Sequence, residues 1–149
     1  MASRKFARDR HQPQGEWVQT SNLESVVGIP FRKEAVKHFS RAVSEAERKG
    51  LFYGLRLVQE PDNPHDTNAI VVIGFAEIKG WFRRVTRDWQ IGYVPAELAE
   101  EIGRDLVAQR IPIAAELYSI YEGRDEFFDV KFFVLAPPGN GVKARMKHS

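Results

Sequence analysis

The chain has 149 residues, 43% of them hydrophobic and 11% aromatic, which is enough for the core of one domain and argues against global disorder. It has no cysteine, which excludes disulfides, thiolate metal sites and cysteine nucleophiles. The net charge of +2 is uneven, because residues 1–14 and 136–149 are basic and residues 15–135 are slightly acidic. No apolar run resembles a signal peptide or a membrane span. We therefore expect a soluble protein without membrane contact, either cytoplasmic and nucleoid-associated or, in a eukaryote, nuclear.

The first half of the chain contains one helical pattern among several strand-like patterns. Residues 1–22 lack an apolar period and are predicted to form a flexible basic segment ahead of the domain. Apolar residues recur at helical spacing from Phe31 to Lys49, and Gly50 follows as a helix stop. The elements predicted in this half are a strand at 23–29, a helix at 31–49, a strand at 51–59 and a strand at 68–75.

The second half resumes after a basic loop at 79–88. Pro95 suits the first turn of a helix, and the proline and glycine residues after 136 lead into a flexible basic tail at 136–149. The elements predicted in this half are a strand at 89–94, a helix from 95, a strand at 113–121 and a strand at 127–135. The order β-α-β-β-β-α-β-β over 23–135 predicts a mainly β fold with two helices, a compact OB-like or SH3-like six-stranded β-barrel.

Residues with catalytic potential are scattered. No histidine has metal-ligand spacing, and no glycine-rich phosphate loop is present. We therefore expect a protein that is not an enzyme, with no catalytic residue, metal or cofactor. A nuclease is the alternative that needs a carboxylate cluster, for which Glu60, Asp62 and Asp66 are the densest set. The four histidines are His11 and His148 in the predicted tails, His38 on the exposed side of the first helix and His65 in a turn.

The turn at 60–69 carries more information than any other segment. Two prolines fix φ in it, and Asp62, Asn63 and Asn68 are interpreted as side chains that close turns onto the backbone. His65 and Asp66 are interpreted differently, because an exposed ring beside a rigid acceptor can stack on a base and accept a hydrogen bond from a sugar hydroxyl.

The first predicted helix places its charges against the helix dipole. Basic residues, among them Arg32 and Lys33, lie early, and acidic residues lie late. Cations at the positive end of a helix cost a few tenths of a kcal/mol each, which favours a surface that holds an anion such as a phosphate. The alternative is a solvated face with an ion pair between Arg41 and Glu45.

The densest basic and aromatic stretch lies in the predicted loop at 79–88 and includes Arg83, Arg84 and Arg87 with Trp81 and Phe82. Such a mixture suits single-stranded nucleic acid, since cations follow phosphates and rings stack on bases. It equally suits an exposed loop that its aromatic residues anchor. Nearby, Trp89 is predicted to be in the core and Tyr93 to present an exposed ring.

Three segments together resemble the HIRAN domain family. They are Val26-Val27-Gly28, the long motif Leu55-x-Leu57-Val58-x-Glu60-Pro61-x-Asn63-Pro64-His65-Asp66-x-Asn68-Ala69-Ile70-x-Val72, and Ile91-Gly92-Tyr93-Val94-Pro95. The resemblance covers about residues 23–135. It implies an OB-like barrel that binds DNA and, in eukaryotic fork-remodelling helicases, captures the 3′-hydroxyl end of single-stranded DNA.

The resemblance also implies roles for individual residues. By motif position, Phe31 and His65 would clamp the terminal base, Asp66 would contact the terminal sugar, and Tyr93 would lie beside the pocket. The implied partner is single-stranded or 3′-ended DNA, in company with a DNA-processing enzyme. A protein-interaction adaptor is the alternative, because such domains are often attached to larger machines.

The sequence departs from the helicase versions at four places. Pro30 stands where they have a basic residue, His65 replaces a tyrosine, Pro95-Ala96 replaces a region that can hold lysine, and the 32–49 helix is an insertion. The lost phosphate contacts leave Arg32, Lys33 and the arginines of 83–87 as candidate replacements.

Overall fold

The computed structural model describes residues 4–147, which form a mainly β fold with α-helices at both ends and in the middle. The strands are β1 (Arg4–Lys5), β2 (Val18–Gln19), β3 (Glu24–Ser25), β4 (Tyr53–Gln59), β5 (Ile70–Lys79), β6 (Arg84–Tyr93), β7 (Ala114–Glu122) and β8 (Phe128–Ala136). The α-helices are α1 (Arg8–His11), α2 (Lys33–Lys49), α3 (Ala96–Asp105) and α4 (Val142–Lys147). Short 3₁₀ turns lie at Ile29–Phe31, Val107–Gln109 and Arg124–Glu126.

The strands form two antiparallel sheets. One has the order β1-β7-β8-β2, with β3 also paired to β8, and the other has the order β4-β5-β6. A single isolated bridge, Val27 to Tyr93, joins the segment after β3 to the end of β6. The predicted six-stranded barrel is therefore wrong, since the described strands do not close into one. The reason lies in the pairing, because β7 and β8 take the short N-terminal strands as neighbours instead of β4 and β6.

Helix α2 covers the three-stranded sheet. Its buried face includes Phe39, whose side chain is fully inaccessible and lies against Gly74 of β5. A Cβ atom at position 74 would lie 2.6 Å from the Phe39 ring, so only glycine permits this close packing. Gly50 ends the helix with φ +71°, as its place in the sequence predicts. The tilted contact of Trp89 with Phe39, with ring centroids 6.1 Å apart, places Trp89 at the edge of the core.

The predicted basic loop at 79–88 is mostly strand. Residues 76–79 of β5 pair with residues 84–87 of β6, so the connection is a turn at 80–83. The sequence pattern missed these strands because residues 81–88 are all exposed, and a ribbon that is solvated on both faces shows no apolar alternation.

The N-terminal residues that the structure describes lie within the fold, although the sequence predicts a flexible segment there. Arg4 and Lys5 pair with β7, and Val18 and Gln19 pair with β8. Between them, His11 is buried and stacks on Tyr53 at 5.8 Å between ring centroids. Aromatic contacts of this kind stabilise a segment that has no apolar period of its own.

The C-terminal segment also differs from its prediction. Residues 142–147 form α4, and Arg145 is 8% exposed. Its guanidinium donates from Nε to Thr20 Oγ1 at 2.7 Å and from Nη1 to Glu101 Oε1 at 2.9 Å. A buried arginine thus connects helix α4 to Thr20 and Glu101. None of the helices in residues 4–147 has both the length and the apolar composition to cross a bilayer.

Candidate nucleic-acid interface

The end of strand β6 lies where the two sheets meet. The backbone groups of Val27 and Tyr93 exchange two hydrogen bonds, N–H of each to C=O of the other, both 2.9 Å long. Gly92 directly precedes Tyr93. A Cβ atom at position 92 would lie 2.3 Å from the Val27 carbonyl oxygen. Absence of a side chain at Gly92 therefore permits the contact that positions Tyr93.

Tyr93 is tied to the turn after β4. Its hydroxyl donates to Oε1 of Glu60 at 3.1 Å, and the amide of Asn63 donates to the same oxygen at 2.7 Å. The side-chain oxygen of Asn63 in turn accepts from the backbone N–H groups of His65 at 2.8 Å and Asp66 at 3.1 Å. Glu60 and Asn63 thereby connect the Tyr93 ring to the two residues that the sequence predicts to touch a ligand.

Within the turn, only part of the predicted fastening is observed. Asn63 closes a turn as expected, and Asp66 accepts from the Asn68 N–H through Oδ1 at 2.9 Å. The side chains of Asp62 and Asn68 make no such bond among the contacts of residues 4–147. His65 is exposed and Asp66 half-buried, so Asp66 both fastens the turn and keeps one carboxylate oxygen without a protein donor in the described residues.

The segment before α2 approaches Tyr93 from the other side. Gly28 adopts φ +84° and begins the 3₁₀ turn that leads to Phe31. The side chain of Phe31 is 90% exposed, so its ring is available to a ligand. Burial and the neighbouring Glu60 raise the pKa of the Tyr93 phenol, while the nearby Arg32 guanidinium acts in the opposite direction.

The segment before α2 and the turn after β4 both meet the end of β6 at Tyr93. We call the residues Phe31, Arg32, His65, Asp66 and Tyr93 of these three segments the Tyr93 surface. It combines two exposed rings, a half-buried ring, a cation and a rigidly held carboxylate, which can stack on a base, bind a phosphate and accept from a hydroxyl.

Lys33 lies beside this surface in a different environment. It lines a cleft of about 480 Å³ with residues of the β7–β8 turn, among them Glu126 and Phe127. Lys37 forms an ion pair with Glu126 at 2.7 Å, and this contact, with weaker help from Lys33 and Arg41, lowers the Glu126 pKa. The basic start of α2 is thus partly neutralised by an acid from another element.

The ion pair of Arg41 with Glu45, which the sequence offers as the alternative to an anion-binding surface, is not formed. Glu45 instead forms ion pairs with Arg48 at 2.5 Å and with Lys49 at 3.0 Å, three and four residues further along the helix. A carboxylate followed by a base is the more favourable order for such helical pairs. Arg41 makes no ion pair within residues 4–147.

The three arginines of the basic stretch lie away from the Tyr93 surface. Arg83 is in the turn of the β5–β6 hairpin, and Arg84 and Arg87 are on the distal part of β6. Tyr93 lies nine positions after Arg84 on the same extended strand, which corresponds to about 30 Å. The predicted site residues therefore fall into two groups at opposite ends of β6.

Glu60 is the residue that sequence reasoning missed as a positioning group. Its position in the sequence, directly after β4, could have indicated this role. In an antiparallel sheet of order β4-β5-β6, strands β4 and β6 run in the same direction, so both finish at the same end of the sheet. The carboxylate set that a nuclease would need is not assembled, because Glu60 is engaged with Tyr93 and Asn63. Residues 4–147 contain no group of three or more histidine, aspartate or glutamate side chains placed to hold a metal ion.

The chain was compared with known proteins. The family model of the HIRAN domain matches residues 40–125, a range that includes His65, Asp66 and Tyr93 and begins after Arg32. Among solved structures, the crystal structure of the HIRAN domain of human HLTF is similar, with 17% sequence identity and a TM-score of 0.45. That match covers 91% of this chain and 93% of the HLTF chain. The comparison with curated proteins gives no match.

Proposed function

Because the chain belongs to the HIRAN domain family, we propose that it binds single-stranded DNA, preferentially at a 3′-hydroxyl end, through the Tyr93 surface. HIRAN domains are in general DNA-binding modules. The finer assignment to a single strand and to its 3′ end rests on the chemistry of the residues that meet at the end of β6.

One observation supports this proposal above the others, namely the 90% exposed ring of Phe31 next to the cation of Arg32. An apolar ring that stays in water contributes nothing to the core, whereas stacking on a base contributes about 1–3 kcal/mol. A guanidinium beside it is placed to bind the phosphate of the same nucleotide.

The carboxylate of Asp66 supplies the proposed preference for an end. Its Oδ1 accepts from the Asn68 N–H, so the group cannot rotate freely and presents its second oxygen in a fixed direction. A 3′-hydroxyl can donate to that oxygen. A 3′-phosphate cannot, and like charges would repel each other at the same place.

Fluorescence anisotropy with two otherwise identical oligonucleotides, one ending in a 3′-hydroxyl and one in a 3′-phosphate, tests the proposal. Wild-type protein is expected to bind the 3′-hydroxyl form more tightly, and Asp66→Asn to reduce that difference. Phe31→Ala is expected to weaken binding of both by roughly tenfold, the equivalent of about 1.4 kcal/mol.

Phe52→Ala is the matched control. Phe52 is also an exposed phenylalanine, at 55%, but it lies just before the start of β4, whereas Glu60 follows the end of that strand. Equal binding of both oligonucleotides that Asp66→Asn leaves unchanged would refute the end preference. No salt-dependent binding of either would favour the alternative of a protein-interaction adaptor.

A further inference from the structure

The β5–β6 hairpin extends beyond the body of the protein. Its distal part, residues 77–88, is here called the arm. Every residue from Trp81 to Asp88 is exposed, and the turn is closed by a hydrogen bond from the Gly80 N–H to the Arg83 carbonyl at 2.9 Å. The arm is therefore a two-stranded ribbon with solvent on both faces.

The tip of the arm carries two aromatic side chains without a core to fill. Trp81 is 96% exposed and Phe82 is 95% exposed. Their ring centroids are 6.1 Å apart with the planes tilted by 52°, so the two rings cannot hold a flat base between them. Together they form a blunt apolar wedge at the end of the ribbon.

The cations of the arm lie on both of its faces. Arg84 and Arg87 are three residues apart on β6, which places their side chains on opposite faces. Arg84 pairs with Lys79 of β5 in register and therefore shares its face. The only ion pair that these residues make in the described chain joins Arg84 to Glu77 at 3.5 Å, and 61% of the Arg84 side chain remains exposed.

We propose that the arm enters a groove of double-stranded DNA, with its tip rings wedged against a base step and its cations on the phosphates of both strands. The major groove of DNA is wide enough to admit a two-stranded ribbon. Apolar side chains that proteins insert between base steps, as known for the minor groove, partly unstack those steps. A groove has phosphates along both walls, which matches cations on both faces of the arm. A single strand or a flat bilayer would contact one face.

This inference deepens the proposed function, since both concern DNA, but the two surfaces can be tested apart. The probe is a labelled, covalently closed duplex minicircle, which has neither a 3′ end nor a single-stranded region. Its binding is measured by anisotropy over a range of salt concentrations, beside the single-stranded 3′-hydroxyl oligonucleotide.

The double variant Trp81→Ala/Phe82→Ala is expected to bind the minicircle at least tenfold more weakly, with no change for the oligonucleotide. The triple variant Arg83→Gln/Arg84→Gln/Arg87→Gln is expected to lower the slope of log affinity against log salt by roughly two to three, about 0.9 per lost phosphate contact. All five side chains are exposed, so circular dichroism should show an unchanged fold.

The matched control, Arg104→Gln/Arg110→Gln/Lys143→Gln, removes three exposed cations outside the arm and should leave minicircle binding within about twofold of wild type. The proposal would be overturned if the control lost as much minicircle affinity as the arginine variant. It would also be overturned if neither arm variant lost any minicircle affinity. The same holds for an arm variant that loses binding to phosphatidylserine vesicles but keeps the minicircle. If only the single strand fails to bind, the end-binding proposal is wrong and the arm proposal stands.

Discussion

The hydroxyl of Tyr93 donates a 3.1 Å hydrogen bond to Oε1 of Glu60, which ties the last residue of β6 to the turn that follows β4. Because Asn63 binds the same Glu60 oxygen, this one carboxylate holds both the ring and the turn of the Tyr93 surface.

Tyr93→Phe should therefore keep the ring but loosen the turn. We expect a loss of about 1 kcal/mol in the free energy of unfolding, typical of one hydrogen bond, and a several-fold weaker affinity for the oligonucleotide. Chemical denaturation and anisotropy measure the two effects.

In wild type the phenol of Tyr93 should titrate above its usual pKa of about 10, and Glu60→Gln should lower that pKa. An unchanged pKa in Glu60→Gln would show that the bond does not persist in solution.

Gly92→Ala should disrupt the bridge between the sheets. The added Cβ atom would meet the Val27 carbonyl oxygen at 2.3 Å, so the two hydrogen bonds of the bridge cannot both survive. We expect a loss of about 2–4 kcal/mol in the free energy of unfolding. The control is Gly103→Ala in α3, where a Cβ atom meets nothing within 4 Å and better helix propensity should stabilise by up to about 1 kcal/mol. Equal stability of the two variants would contradict the contact.

His11 should make the fold sensitive to acid. Burial lowers its pKa below the ordinary 6.5, although Glu116 acts in the opposite direction, and its Nδ1 atom has no hydrogen-bond partner in the described chain. At a pH between the folded pKa and 6.5, His11 is mostly protonated in the unfolded chain and mostly neutral in the folded chain. This contribution to stability is thus complete above pH 6.5 and is lost as the pH falls towards the folded pKa, by at most about 1.4 kcal/mol per pH unit.

Denaturation at several pH values between 5 and 7 measures this effect. His11→Phe keeps the ring contacts and should flatten the profile in that range, whereas His38→Gln, at an exposed position of α2, should leave it as in wild type. A wild-type slope that survives in His11→Phe would assign the acid sensitivity to another group.

Arg145→Met should release the C-terminal helix. The side chain of Arg145 is 6% exposed and its Nη1 donates to Glu101 at 2.9 Å and to Asp105 at 3.0 Å. Glu101 and Asp105 are partly exposed and would stay hydrated, so we expect a loss of about 1–3 kcal/mol, mainly from the buried Thr20 acceptor that loses its donor. Hydrogen exchange of the α4 amides should accelerate together with the loss of stability. Lys143→Met, on the exposed side of the same helix, should change neither.

The parts of the fold that the sequence predicts well are those with a strong period or a specific stop. The sequence predicts a helix at 31–49, and α2 spans Lys33–Lys49, because its apolar stripe and Gly50 both act locally. The packing of Arg145 could not be predicted in the same way. Its partners Thr20, Glu101 and Asp105 are far away along the chain, and a polar side chain gives no periodic signal that it is buried.

The candidate site was predictable in composition but not in arrangement. The motif around His65 and Asp66 identified the turn, and its rigidity follows from the side chain of Asn63. The separation of Arg84 from Tyr93 depends on residues 84–88 being part of β6, which a pattern exposed on both faces does not reveal. For the same reason the sequence predicts a loop over residues 79–88, where the arm lies.

The short strands β1 and β2 have a consequence for the protein's behaviour in solution. They lie at the two edges of the β7–β8 hairpin and so use backbone groups that would otherwise template pairing between molecules. A fragment limited to the matched range 40–125 would lack both strands and also β8, leaving β7 with no neighbour in its sheet. Such a fragment should aggregate, so the smallest stable unit extends well beyond the segment by which the family is identified.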